Sequence, residues 1–223
     1  MKSTRSLGNR RTSHGFTLVE VSVVVVCLVA IAALVIPPLA KRKRYSSKIH
    51  CVNKLKNLGL AARVFATDNE GLHPWQQSVT NGGTKELLVS PWHVAPHFQA
   101  LSNELTSPWT LLCSEEKQRK AAAVFSTLTD ANVSYFIGLD ASEESPQSIL
   151  SGDRQLIVDG TDVPPGLLLV SSTNQLGYSR RIHQNAGLLL GDGSVQAASP
   201  PNLMGHLKAA LGPTNASLRL LIP

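Results

Sequence analysis

From Val21 to Ala40 the chain runs twenty residues without a charge, and this run limits the fold more than any other feature of the sequence. As a helix rising ~1.5 Å per residue it would cover ~30 Å, the thickness of a bilayer hydrocarbon core. It is apolar on every side, whereas a soluble core helix of that length normally keeps a polar face. The expectation is a transmembrane helix over residues 16–40. A cleaved secretory signal is the rival reading, because Ala30-Ile31-Ala32 satisfies the small-x-small rule. A cut there would leave Leu34, Val35 and Ile36 near a greasy new terminus. It would also leave Glu20 unexplained, a carboxylate at the edge of an apolar run being costly and usually functional.

The formal net charge of +6 points to nucleic acid only until the charges are located. Lys2, Arg5, Arg10 and Arg11 precede the apolar run, and Lys41, Arg42, Lys43 and Arg44 follow it. Setting aside those eight and Glu20, the 21 Lys+Arg and 15 Asp+Glu leave 13 basic against 14 acidic residues from Tyr45 onward. The basic excess belongs to the two flanks, so no nucleic-acid partner is expected of the remainder. With four basic residues on each side, charge bias alone does not orient the apolar run.

Immediately before the run stands Gly15-Phe16-Thr17-Leu18-Val19-Glu20, behind a basic leader without an acid. This resembles the class III signal of type IV pilins and of type II secretion pseudopilins. The resemblance implies that a prepilin peptidase removes residues 1–15 by cutting between Gly15 and Phe16, and that the new N-terminal Phe16 is methylated. It implies a cytoplasmic leader, a single pass through a bacterial inner membrane and a periplasmic headpiece that reaches the cell surface after assembly. It also implies that Glu20 takes part in assembly with copies of the chain or with other pilin-like subunits. The chemistry of the residues is consistent with that. Glycine gives a peptidase close access to the backbone. The cut creates an amine for which a neighbour's Glu20 is a natural partner. The plainer reading of Glu20 is an unpaired carboxylate reaching toward the interface. Pro37-Pro38 removes helix donors near the outer end of the run, where the family also tends to carry a proline.

Beyond the run, Ile49, Val52, Leu55, Leu58, Ala62 and Phe65 recur at spacings of three and four, with Lys48, Lys54, Lys56 and Arg63 on other faces. An amphipathic continuation of the helix over 41–70 is expected, ending near Asn69-Glu70-Gly71. Residues 71–223 are expected to form the headpiece. Strands are expected at Val133–Leu139, Leu156–Val158 and Leu167–Val170. Asp192-Gly193 marks a hairpin between Leu188–Gly191 and Ser194–Ala197. Pro200-Pro201 opens a short helix to about Leu211. The expected fold class is α+β, a long N-terminal membrane-spanning helix packed on a small, mainly antiparallel sheet. A second resemblance covers Cys51 to Ala61, Tyr135 to Asp140, and His183 with Asp192-Gly193. It is to bacterial prepilin-like proteins with a C-terminal His-x9-Asp-Gly motif of undefined role. Here eight residues separate His183 from Asp192, one fewer than in that pattern.

Of the three cysteines, Cys27 lies in the apolar run and reads as a small filler. Cys51 and Cys113 fall in the region expected to be exported, where disulfides persist. A bridge tying helix to headpiece and two buried thiols both stay open, since spacing does not give the Cα separation a bridge requires. No metal or other cofactor is expected. His93 and His97 stand four apart, but Pro96 between them argues against a helix presenting both. Calcium held by loop acids stays open through the pseudopilin resemblance. No nucleophile elbow, P-loop or dinucleotide fingerprint occurs, and Asp140, Asp153 and Asp159 each also suit a loop, so no enzymatic activity is expected. The leading function is a membrane-anchored, fibre-forming pilin-like or pseudopilin-like subunit. The alternative is an anchored binding module that is processed in the same way but never polymerises.

Overall fold

A computed structural model of the chain describes residues 17–179, 186–212 and 217–223, with the backbone alone described at 34–48 and at 200. The leader, Gly15, Phe16 and His183 lie outside the described residues. The chain divides into two units, Met1–Tyr45 and Ser46–Pro223. One helix, α1 (Leu18–Asp68), contributes residues to both.

In the first unit, α1 begins with a reciprocal cap. The Thr17 backbone N–H and hydroxyl donate to Glu20 Oε2 at 2.8 and 2.9 Å, and the Glu20 N–H donates to Thr17 Oγ1 at 3.3 Å. Two of the donors that every helix start leaves orphaned are thereby satisfied. The described side chains of this unit, from Thr17 to Ala33, are all exposed.

Among the described residues no helix is long and apolar enough to cross a membrane. This corrects the transmembrane helix expected over 16–40 and the membrane-spanning part of the expected α+β fold. The inner-membrane, single-pass location that went with it is corrected too.

The second unit is built on a six-stranded sheet. Its strands are β1 (Tyr135–Gly138), β2 (Ile149–Asp153), β5 (Gly166–Ser171), β7 (Ala186–Leu190), β8 (Val195–Ala198) and β9 (Ser217–Ile222), in the order β5-β9-β1-β2-β7-β8. A smaller sheet holds β3 (Leu156–Val158), β4 (Thr161–Asp162) and β6 (Leu176–Tyr178) in the order β4-β3-β6. The strand pairs are antiparallel. The longest register joins β5 to β9, from Gly166 opposite Ile222 to Ser171 opposite Ser217.

The large sheet is covered on both faces, which explains why its strands are nearly continuous in apolar residues rather than alternating with polar ones. Side chains of one strand still alternate between the two faces. Tyr135, Ile137, Leu189 and Leu221 join a core with Leu55, Leu58, Ala62 and Phe65 of α1. Phe136, Leu188, Leu190 and Leu220 join a second core on the opposite face. That second core is completed by Leu203, Leu207 and Leu211 of α3 (Pro200–Leu211) and by Leu156, Leu176 and Tyr178 of the small sheet. The α1 residues facing the sheet keep helical spacing, so one stripe of the helix is buried. The helix ends where Glu70 and Gly71 adopt φ of 56° and 81°, and the Gly71 N–H reaches back to Ala66 O at 2.8 Å.

The segment between α1 and β1 is mostly turns and short helical pieces, including α2 (Ala95–Gln99). Pro96 does not exclude a helix here, because it occupies the first turn, where no helical N–H is required.

Candidate functional site

Three groups of the singled-out residues can be placed. The first is the start of α1, where Glu20 is satisfied by Thr17 of its own chain and stands at the head of an exposed apolar surface. Leu18, Val21, Val24, Val25, Leu28 and Ile31 are all more than half exposed. A contiguous apolar surface of this kind marks a contact that the isolated chain leaves uncovered.

The second group is buried. Cys51 on α1 and Cys113 in the following loop segment meet with their sulfurs 2.7 Å apart. The Ser114 N–H donates to Cys51 Sγ at 3.2 Å. The Cys51 contact and burial both push the Cys113 thiol well above its ordinary pKa, so it is not a reactive thiolate. Beside them lies Lys54, expected on an outer face but only 8% exposed. Its ammonium donates to Leu112 O at 2.7 Å and sits 3.6 Å from the centroid of the Trp109 ring. A carbonyl and an aromatic face thus offset the desolvation of the charge. Burial lowers the Lys54 pKa, against an opposing influence of the two thiols. Cys51 and Lys54 stand three positions apart, so both project from one side of α1.

The third group is the β7–β8 hairpin. Leu189 lies opposite Val195, and Asp192-Gly193 forms the turn, with Gly193 at φ 80°. The Ser194 hydroxyl and the Ser194 N–H, the latter 2.8 Å from Asp192 Oδ1, both donate to the Asp192 carboxylate and hold it below the ordinary range. The turn lies against Arg63 of α1, whose Nη2 donates to Gly191 O at 3.4 Å and whose Nε pairs with Glu143 at 3.3 Å. The Asp-Gly part of the motif therefore serves a turn that docks on the helix.

The remaining sequence candidates are dispersed into local roles. Asp140 pairs with Arg219 at 2.5 Å, Asp153 accepts from the Gly187 N–H at 2.7 Å, and Asp159 accepts from the Gln175 N–H at 2.7 Å. His93 pairs with Asp130 at 2.8 Å. His97 is wholly buried, with Nδ1 2.6 Å from Thr84 Oγ1. Among the described residues, no three His, Cys, Asp or Glu side chains group as metal ligands.

Sequence reasoning missed a charged cluster near the end of β2. Glu116, its side chain 2% exposed, accepts from Arg154 Nη2 at 3.1 Å. Arg119 lies nearby and donates to the carbonyls of Asp130, Val133 and Pro223. Burial and the neighbouring Arg154 lower the Arg119 pKa to about 10. The three residues come from distant parts of the chain, and their spacing carries no signal. Comparison with protein-family models, with curated proteins and with solved structures returns no match.

Proposed function

We propose that the chain is a pilin-like or pseudopilin-like fibre subunit. In this reading a prepilin peptidase cuts between Gly15 and Phe16, the new amine of Phe16 is methylated, and the unit beginning at Ser46 is the exported headpiece. The observation that carries the reading is the exposed apolar surface of α1 with Glu20 at its head. Side-by-side packing of such helices removes that surface from water at roughly 25 cal/mol per Å². Glu20 then faces the amine of a neighbour's Phe16, and partial burial of the pair penalises other registers.

Cross-linking of the expressed chain, with mass spectrometry of its N-terminus, tests this. Glu20→Gln keeps a side chain that closes the cap on Thr17 but removes the charge, whereas Glu20→Val removes both. The expectation is a chain that begins at methylated Phe16 in all three forms, with oligomer ladders in the wild type and none in either variant. Ladders that persist undiminished in Glu20→Gln would rule out the charge pair. Normal cleavage without ladders in the wild type would favour the non-polymerising binding module.

A further inference from the structure

Two ties run side by side between α1 and the segment Leu111 to Ser114. One is the meeting of Cys51 with Cys113. The other starts three positions further along the helix, where the Lys54 ammonium donates to Leu112 O, the carbonyl next to Cys113 in sequence. The Ser114 N–H donates to Cys51 Sγ, and Leu111 O accepts from the Ser134 N–H at 2.9 Å, just before β1. The segment is thus held between the helix and the start of the sheet. Among the described residues no carboxylate pairs with Lys54, whose partners are the Leu112 carbonyl and the Trp109 ring. A buried ammonium on those terms is costly, and a methionine would fill the same space without the cost. What the charge supplies is a donor for Leu112 O, since Leu112 is itself buried. Without that donor the carbonyl would be drawn toward water and the segment would lift from the helix. The Cys51 contact and burial keep the Cys113 thiol protonated, so Lys54 does not serve to hold a thiolate there.

We propose that Cys51 and Cys113 form a redox-operated clasp and that Lys54 is its positioning residue. Bonded to Leu112 O, Lys54 keeps the two sulfurs in contact while they are reduced, so oxidation makes the tie covalent without rearranging the fold. The step is thiol–disulfide exchange with a small-molecule or protein disulfide as oxidant. The Cys51 sulfur, as thiolate, attacks one oxidant sulfur and expels the other as a thiolate. The Cys113 sulfur, once deprotonated, attacks Cys51 in the mixed disulfide and expels the second oxidant sulfur. The oxidant's S–S bond breaks, the Cys51–Cys113 bond forms, and the two cysteine protons end on the two released thiols. Both sulfurs are buried, so exchange passes through a transient opening of the segment, and the equilibrium is independent of that route. Every group named belongs to the second unit, so the inference does not depend on the fibre-subunit reading.

Equilibration of the full chain in glutathione redox buffers tests it. Samples are quenched with acid, alkylated and digested, so that mass spectrometry reads the Cys51–Cys113 pair apart from Cys27. The buffer ratio at half oxidation gives the effective concentration of one cysteine at the other. It should fall about tenfold or more in Lys54→Met, which keeps an unbranched side chain but leaves Leu112 O without its donor. Trp109→Leu removes the ring beneath the ammonium at an exposed position and should lower it about threefold or more. Gly193→Ala strains a turn outside the clasp and should leave it unchanged, because a cost common to both redox states cancels. Thermal unfolding of the reduced samples shows which variants are folded; if Lys54→Met is not, Trp109→Leu decides. Three results would overturn the proposal. One is a wild type that forms no bond at any glutathione ratio. Another is a folded Lys54→Met or Trp109→Leu within about twofold of the wild type. The third is a Gly193→Ala that falls as far as Lys54→Met, which would trace the value to general stability and not to position.

Discussion

His97 couples the stability of the second unit to pH. Its ring is fully buried, its Nδ1 lies 2.6 Å from Thr84 Oγ1, and burial lowers its pKa to about 4, against a smaller opposing pull from Asp130. In the unfolded chain the same group titrates near ~6.5. Between those values the unfolded state binds the proton and the folded state does not, so stability falls as pH falls through that window. The full contribution, about 3 kcal/mol, is present above ~6.5 and lost by about 4. Buried His73 shifts in the same direction and adds to the trend. Thermal unfolding followed from pH 7 to pH 4.5 should show a falling midpoint, and His97→Gln should flatten that slope. A second prediction concerns Gly138, where an added Cβ would overlap the Ile149 carbonyl oxygen across the β1–β2 pair. Backbone cannot yield as a side chain does, so Gly138→Ala should destabilise by ~2–4 kcal/mol in chemical denaturation.

Among the elements, α1 is tied to its surroundings at two places. One is the Cys51–Cys113 contact, which spans 62 positions of chain. In an exported protein that pair is expected to be oxidised, so the intact chain should weigh two hydrogens less than its reduced form. Loss of the bridge through Cys113→Ser should lower stability by ~2–4 kcal/mol. Alkylation of Cys51 and Cys113 in the unreduced protein would count against it. The other tie is the β7–β8 turn on Arg63. Gly193→Ala should cost ~1 kcal/mol through the φ of 80° alone, with little loss of core packing. Both ties give recognisable sequence patterns a structural basis: the Asp-Gly turn and the helix-borne cysteine each hold one element to another.

At the scale of the molecule, the two units predict different behaviour. Ser46–Pro223 holds both apolar cores, whereas Thr17–Ala33 exposes its apolar side chains. A fragment beginning at Ser46 should therefore fold and remain monomeric in light scattering, while the longer chain self-associates. Local signals were readable in the sequence. The double proline opens α3, the Asp-Gly pair turns β7 into β8, and the 55–65 spacing marks the stripe of α1 that meets the sheet. What was not readable depends on partners far along the chain. Nothing local marks Ser217–Ile222 as a strand or Lys54 as buried, because β1, β5, Leu112 and Trp109 supply the reasons. The position of β9 bears on synthesis. It lies between β5 and β1 and, among the described strands, is the only neighbour β5 has in its sheet. A ribosome makes it after every other strand of that sheet, so a nascent chain carries an open slot until residues 217–222 emerge. Until then the margins of β5 and β1 that flank it stay unpaired.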